Sequence, residues 1–267
     1  MTHKITALIA ALFLAAAPAA LADDASVSGS LSLDLNTHFI SYGADVWSAG
    51  DDWQDSLFNP AVDITWDLGN GVSLYTGIWA DINDNATDSL GGNFQELDWW
   101  FGASFGLVED LTIDIVFQQW YFASETEGII DVILAYDAPI LAPTLTIHNR
   151  IEENGAQKNG TVVDLGISHT IEVEGVSITI PANIAWASDE FHLATNDAGD
   201  IVGYGQDGFA YVNIGLDVSV PLTFIPEELG SWDVHGGVKY WHTDEDVIPG
   251  NPEDNFVTGT IGIGTSF

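Results

Sequence analysis

The sequence predicts an all-β fold: a single transmembrane antiparallel up-and-down β-barrel of 12 strands, with 10 or 14 as the alternatives. Three observations carry this. First, alternation of period two runs through most of the chain. In Val176–Ala187 one parity holds Val176, Ile178, Ile180, Ala182, Ile184 and Trp186, and the other holds Ser177, Thr179, Pro181, Asn183, Ala185 and Ala187. Second, the connections alternate between tight or proline-rich turns and longer polar loops, as they do when a barrel has a short-turn rim and a loop rim. Third, aromatic residues on the apolar parity gather at two heights. Phe39, Trp99, Tyr121, Trp186 and Tyr240 fall near the loop rim, and Trp66, Phe105, Tyr136, Trp232 and Phe267 near the turn rim. Two interfacial belts suit a bilayer. A soluble β-sandwich also alternates, but has no reason to sort its aromatics by height.

The chain opens on Met1–Ala22, which reads as a cleaved secretory leader. Lys4 supplies the positive end, Ile5–Ala17 the apolar run and Ala20-Leu21-Ala22 the small-x-small cleavage site. Residues 23–267 are then one barrel domain. Its expected strands are Val27–Tyr42, Asn59–Leu68, Val72–Ile82, Glu96–Gly106, Leu111–Phe122, Ile129–Asp137, Thr144–Glu152, Thr161–Val173, Val176–Ala187, Gly208–Val220, Trp232–His242 and Phe256–Phe267. The tight links are Gly69-Asn70-Gly71, Leu107–Asp110, Ala138–Pro143, Glu174-Gly175 and Pro221–Ser231. The long ones are Gly43–Phe58, Asn83–Gln95, Ala123–Gly128, Glu153–Gly160, Ser188–Asp207 and Thr243–Asn255. An even strand count puts both ends on the turn rim. Pro181 cannot donate to a ladder, so a bulge or a lost bond is expected there. His169 falls on the outward parity.

Charge and composition bound the function. Four Lys and Arg stand against 40 Asp and Glu, for a formal net charge of −36. Recognition of nucleic acid through phosphate is excluded. Aromatics make up 11% of the chain, which is too much apolar surface for disorder. There is no cysteine, hence no disulfide, thiol chemistry or thiolate metal site. After the leader, no run of 18 apolar residues supplies a spanning helix.

The last stretch, Asn255–Phe267, alternates cleanly and stops on Phe267. It resembles the closing strand of bacterial outer-membrane β-barrels, whose terminal aromatic strand is read by the barrel-assembly machinery. That resemblance implies residence in a bacterial outer membrane after export. Further likeness lies in Leu33-Asp34-Leu35-Asn36-Thr37-His38-Phe39, in Gly71–Asp81 (GVSLYTGIWAD) and in Glu96-Leu97-Asp98. Together these resemble a proteobacterial family of predicted outer-membrane barrels with no assigned activity. Ser41-Tyr42-Gly43 stands where that family has an Arg-Gly pair. The resemblance implies a fold and a location, and no chemistry.

The polar parity defines the candidate site. It carries Asp34, Asp63, Asp67, Asp81, Asp98, Asp114, Asp131, Asp137, Asp164, Asp217 and Asp233, with Arg150 and Lys239 the only cations in any expected strand. Charge is costly at lipid-facing depth, so this parity faces the lumen. An acid-lined passage favours cations. Arg150 and Lys239 are expected to brace the wall by pairing with carboxylates. Trp79, Trp100 and Trp120 on three consecutive strands, with Trp241, form an aromatic tier near the loop rim beside Asp81 and Asp98. Such rings either fill the bore or stack a sugar or an organic cation.

These features give the functional expectation: a porin-like channel for passive diffusion of small solutes, biased toward cations or neutral sugar-like molecules. The alternative is a closed barrel acting through its loops in adhesion or envelope structure. A hydrolase at the rim is third, built on His38 with Asp45, Asp51 and Asp52. Gly102-Ala103-Ser104-Phe105-Gly106 matches G-x-S-x-G but lies inside a strand, without the strand-to-helix turn the chemistry needs. Asp81–Asp88 imitates a calcium loop but lacks its sixth-position glycine and final glutamate. No enzyme activity, cofactor, catalytic set or metal site is assigned. The partners expected are the bilayer, the assembly machinery and small solutes.

Overall fold

Strands form where branched or aromatic residues alternate with small polar ones, and they end where a residue must take positive φ. At Glu174 and Gly175 φ is +53° and +84°, which makes the two-residue type I′ turn whose twist matches its flanking strands. Asn70 and Gly71 do the same at +56° and +72°. The structure is a computed structural model that describes residues 25–46, 53–84, 89–123, 125–152, 157–195 and 201–267. The expected leader, Met1–Ala22, lies outside the described residues.

The strands are β1 (Ser26–Asn36), β2 (Phe39–Ser41), β3 (Ala44–Val46), β4 (Leu57–Asp67), β5 (Val72–Ile82), β6 (Phe94–Val108), β7 (Leu111–Phe122), β8 (Glu125–Tyr136), β9 (Thr144–Arg150), β10 (Gly160–Val173), β11 (Val176–Ala187), β12 (Leu193–Thr195), β13 (Ile201–Tyr204), β14 (Gly208–Pro221), β15 (Ser231–Thr243) and β16 (Asn255–Ser266). Twelve of them close a barrel in the order β1-β16-β15-β14-β11-β10-β9-β8-β7-β6-β5-β4, every pair antiparallel. β16 closes the ring on β1, and Phe267 extends the ladder by exchanging backbone hydrogen bonds with Gly29 at 2.8 and 3.0 Å. Twelve strands about 4.8 Å apart and tilted by about 40° enclose a bore roughly 24 Å across between backbones.

The expected parity holds around the wall. Ile78, Ile115, Ile214, Val238, Val257 and Ile261 point outward and are each half exposed or more. Trp186 and Tyr240 are exposed near the loop rim, and Phe105, Tyr136 and Phe267 near the turn rim. No helix of the described residues is long and apolar enough to span a membrane.

Three expectations are corrected. The first strand does not run on to Tyr42. β1 stops at Asn36, and Phe39–Ser41 pairs with Ala44–Val46 as a separate hairpin across a Tyr42-Gly43 turn. The link after β7 is not a long loop, since β8 begins at Glu125 directly opposite Phe122. The stretch Ser188–Asp207 contains the paired strands β12 and β13. At Pro181 the β11–β14 ladder loses its bonds without shifting register, because Ile180 and Pro181 have no β14 partner while Thr179 and Ala182 keep theirs. The bulge lies later, between Ala185 and Trp186.

Candidate functional site: the lumen and its outer plug

The lower half of the lumen is lined by small and acidic side chains, and its order comes from inward glycines. Large neighbours lie where a Cβ would be. A Cβ on Gly102 would meet the Tyr75 ring at 2.3 Å, and one on Gly77 would meet Trp100 at the same distance. Trp100 thus lies flat over β5 and donates from Nε1 to Asp63 Oδ1 at 3.1 Å. On the opposite wall His235 sits between two carboxylates, with Nδ1 2.7 Å from Asp233 Oδ1 and Nε2 2.7 Å from Asp34 Oδ1. This bridge joins β15 to β1 over the closing strand. It passes above Gly262 and Gly264, where any side chain would obstruct it. His235 falls on the inward parity of its strand. The signal was present in Asp233-x-His235 on one face, opposite two glycines two apart.

The outer half is filled by the chain itself. The β2–β3 hairpin folds into the bore, so Phe39 is not a lipid-facing belt residue. Its ring packs on Trp79 at 4.8 Å between centroids. Tyr42 occupies the left-handed turn position (φ +48°), a costly place for a bulky residue. Its ring lies 3.6 Å from that of His148, and its hydroxyl donates to Asp131 Oδ2 at 3.3 Å. The same Asp131 is held by Gln118 Nε2 at 2.5 Å and by His148 Nδ1 at 2.6 Å. Burial first, then the Asp131 charge, holds the Tyr42 phenol well above its ordinary pKa, so it stays a neutral donor. Asn251 ties the hairpin to the β15–β16 loop, donating to Gly43 O at 2.8 Å and accepting from Asp45 N at 2.8 Å.

A second loop enters from β11. Phe191 is buried beneath Arg150, whose guanidinium carbon stands 4.1 Å from the ring centroid and whose Nη1 donates to Phe191 O at 2.8 Å. Arg150 Nε also pairs with Glu127 at 2.5 Å. Its expected bracing role is therefore met, and extended to holding a loop. His192, next along, is pushed down to about 3 by burial, then by the Arg150 and His148 charges. Phe191, Val247 and Ile248 pack with Val162, Ala185, Tyr211 and Trp241 of the wall, flanked by Ile40, Tyr42 and Ala44 of the hairpin. This is an apolar core inside a barrel.

The aromatic tier is partly committed to this packing. Trp79 faces Phe39, and Trp120 lies 6.4 Å from Tyr42 while donating to Gln118 Oε1 at 3.2 Å. Trp241 stacks on Phe256 at 6.2 Å and donates to Thr258 Oγ1 at 3.3 Å. Between the hairpin and this tier remains a cavity of about 430 Å³, reached by Trp79, Asp98, Trp100, Trp120, Lys239 and Trp241. Asp81 does not line it, being fully buried and bonded to Asn59 at 2.9 Å and Asn83 at 2.7 Å. Lys239 does not brace the wall by ion pairing, since among the described residues no carboxylate lies within ion-pair distance. Its ammonium sits 5.5 Å from the Trp241 ring centroid instead.

Of the enzyme-like motifs, one lies inside a strand and the other in the link between β1 and β2. Ser104 lies inside β6, opposite Ser73 and Asp114. His38 stacks on Phe256 at 5.9 Å and meets Thr37 Oγ1 at 2.8 Å. Its other candidate partners, Asp51 and Asp52, lie outside the described residues, as does 85–88 of the calcium-like run.

No family model matches this sequence, and no curated protein matches it. Solved structures do. An outer membrane channel from Pseudomonas putida F1 is 10% identical and superposes with a TM-score of 0.55, over 94% of this chain and 98% of that one. The NanC porin is 9% identical with a TM-score of 0.51, over 88% and 98%. At such identities the likeness is one of fold, and the fold of this chain is that of the outer-membrane β-barrels.

Proposed function

We propose that this protein is an outer-membrane channel for passive diffusion of small solutes, favouring cations or neutral sugar-like molecules. One observation carries the reading: a closed barrel whose outward face is exposed aliphatic surface and whose inward face is acidic. Exposed apolar area of this extent has no place in water, and two aromatic belts fit it to a bilayer. Inside, Asp34, Asp63, Asp114, Asp217 and Asp233 line the passage below the plug, and carboxylates in a narrow bore lower the energy of cations. Export by the Met1–Ala22 leader and recognition of β16 by the assembly machinery complete the proposal. So does membership of the proteobacterial family that Gly71–Asp81 and Glu96-Leu97-Asp98 resemble.

The interlocked outer loops favour a second reading, a closed barrel acting through its surface in adhesion or envelope structure. Purified protein in a planar bilayer separates the two. Discrete conductance steps support the channel. A folded, heat-modifiable barrel that conducts nothing supports the closed form.

A further inference from the structure

The cavity under the hairpin has more polar capacity than the protein uses. Two of its lining groups are over nine-tenths buried, Asp98 on β6 and Asn213 on β14, and in each Oδ1 has no donor. Buried acceptors without donors are rare in folded proteins and mark places where something else supplies the bond. Lys239, on the same lining, holds its ammonium over Trp241 with no carboxylate partner among the described residues. Asp164 on the same lining is already satisfied: it accepts from Asn183 at 2.6 Å and from Tyr211 at 2.5 Å, which sets the shape of that side. The remaining wall is aromatic apart from Ile40 and Ser41 of the hairpin, and the volume, about 430 Å³, lies within the range of small-molecule sites.

We propose that this cavity binds a neutral polyhydroxylated ring, a pyranose sugar, between the Trp tier and the hairpin. The chemistry selects among ligands. The occupant must donate to Asp98 and Asn213, accept from Lys239, and lay apolar faces on rings. A hydroxyl both donates and accepts. A quaternary ammonium suits the rings but can neither donate to the two orphan oxygens nor accept from Lys239, whose charge repels it. A sugar carboxylate suits Lys239 but adds a further acid beside Asp98, which already shares a hydrogen bond with Glu96. The inference deepens the channel reading by naming a solute, and rests on that reading for how the solute reaches the cavity.

The test is binding to the full-length barrel in detergent, by tryptophan fluorescence and by calorimetry. The probes are glucose, maltose, glucuronate and tetramethylammonium. Saturable binding of glucose or maltose is expected, with glucuronate and tetramethylammonium weaker. Asn213→Leu and Lys239→Met are each expected to weaken sugar binding about tenfold, the scale of one lost hydrogen bond in a buried site. Heat-modifiable migration in both variants shows that the barrel still folds. Binding of tetramethylammonium in preference to sugar, sugar binding indifferent to both substitutions, or no binding by any probe would each overturn the proposal. Failure of the channel reading looks different: sugar binds and responds to both variants, while the bilayer shows no conductance.

Discussion

Tyr42 is the residue on which closure of the outer bore turns, and Tyr42→Ala tests that. The substitution removes a half-buried ring tilted against His148 at 3.6 Å between centroids and a hydrogen bond to Asp131. It leaves every strand of the barrel ladder untouched, because β2 and β3 pair only with each other. Truncating a fully buried aromatic costs about 3–5 kcal/mol, and the half-buried Tyr42 ring falls at the lower end of that range. Here that loss falls on docking of the hairpin. At the lower bound the ratio of docked to undocked hairpin drops roughly a hundredfold, since each ~1.4 kcal/mol is tenfold. Single-channel recording should show larger conductance steps and noisier open levels than the parent, with heat-modifiable migration unchanged. Tyr42→Phe keeps the ring and loses one 3.3 Å bond, a loss of about 0.5–1.5 kcal/mol, so its conductance should stay near that of the parent. If Tyr42→Ala conducts like the parent, or Tyr42→Phe opens the bore as far as Tyr42→Ala, the hairpin is not the constriction.

Three further outcomes follow from the same geometry. Gly262→Ala places a Cβ 2.0 Å from Asp34 Oδ1 and 2.6 Å from His235 Nε2, so the bridge over the closing strand should break and the barrel should lose its folded band at lower temperature; Gly91→Ala, with nothing within 4 Å, should be silent. Arg150→Met strands a buried Glu127, which should cost about 3–5 kcal/mol and lower the same transition temperature. The third concerns acid: His192 in the docked loop titrates at about 3, against about 6.5 when released, so the docked form binds fewer protons across that window. Docking should therefore weaken by about 1.4 kcal/mol per pH unit as pH falls from 6.5 toward 3, roughly 2 kcal/mol at pH 5. Conductance should rise between pH 7 and 5, and His192→Leu should remove that rise.

The wall was legible because a period of two and a bilayer leave little freedom. The bounds of β5, β7 and β11 follow directly from alternation, and every lumen acid lies on the polar parity. The plug was not legible, for a local reason. Phe39 continues the parity of Leu33 and Leu35, so alternation reads straight through the end of β1. What ends the strand is tertiary: Thr37 exchanges its bonds with Gly259, and the chain then turns in. Tyr42-Gly43 carried the hint of a two-residue turn. Likewise Phe191, Val247 and Ile248 are apolar residues within acidic loops, and only the folded barrel shows that they meet. Pairing was half legible. Arg150 finds Glu127, whereas Lys239 turns to Trp241.

The central claim is an acid-lined passage, and the reversal potential in a tenfold KCl gradient across a planar bilayer tests it most directly. The account predicts a reversal toward the potassium equilibrium potential, whose ideal limit is roughly 59 mV for a univalent ion. That shift should shrink in 1 M salt, where the Debye length contracts to about 3 Å. A reversal toward the chloride potential would contradict the inward placement of the acids and the function built on it.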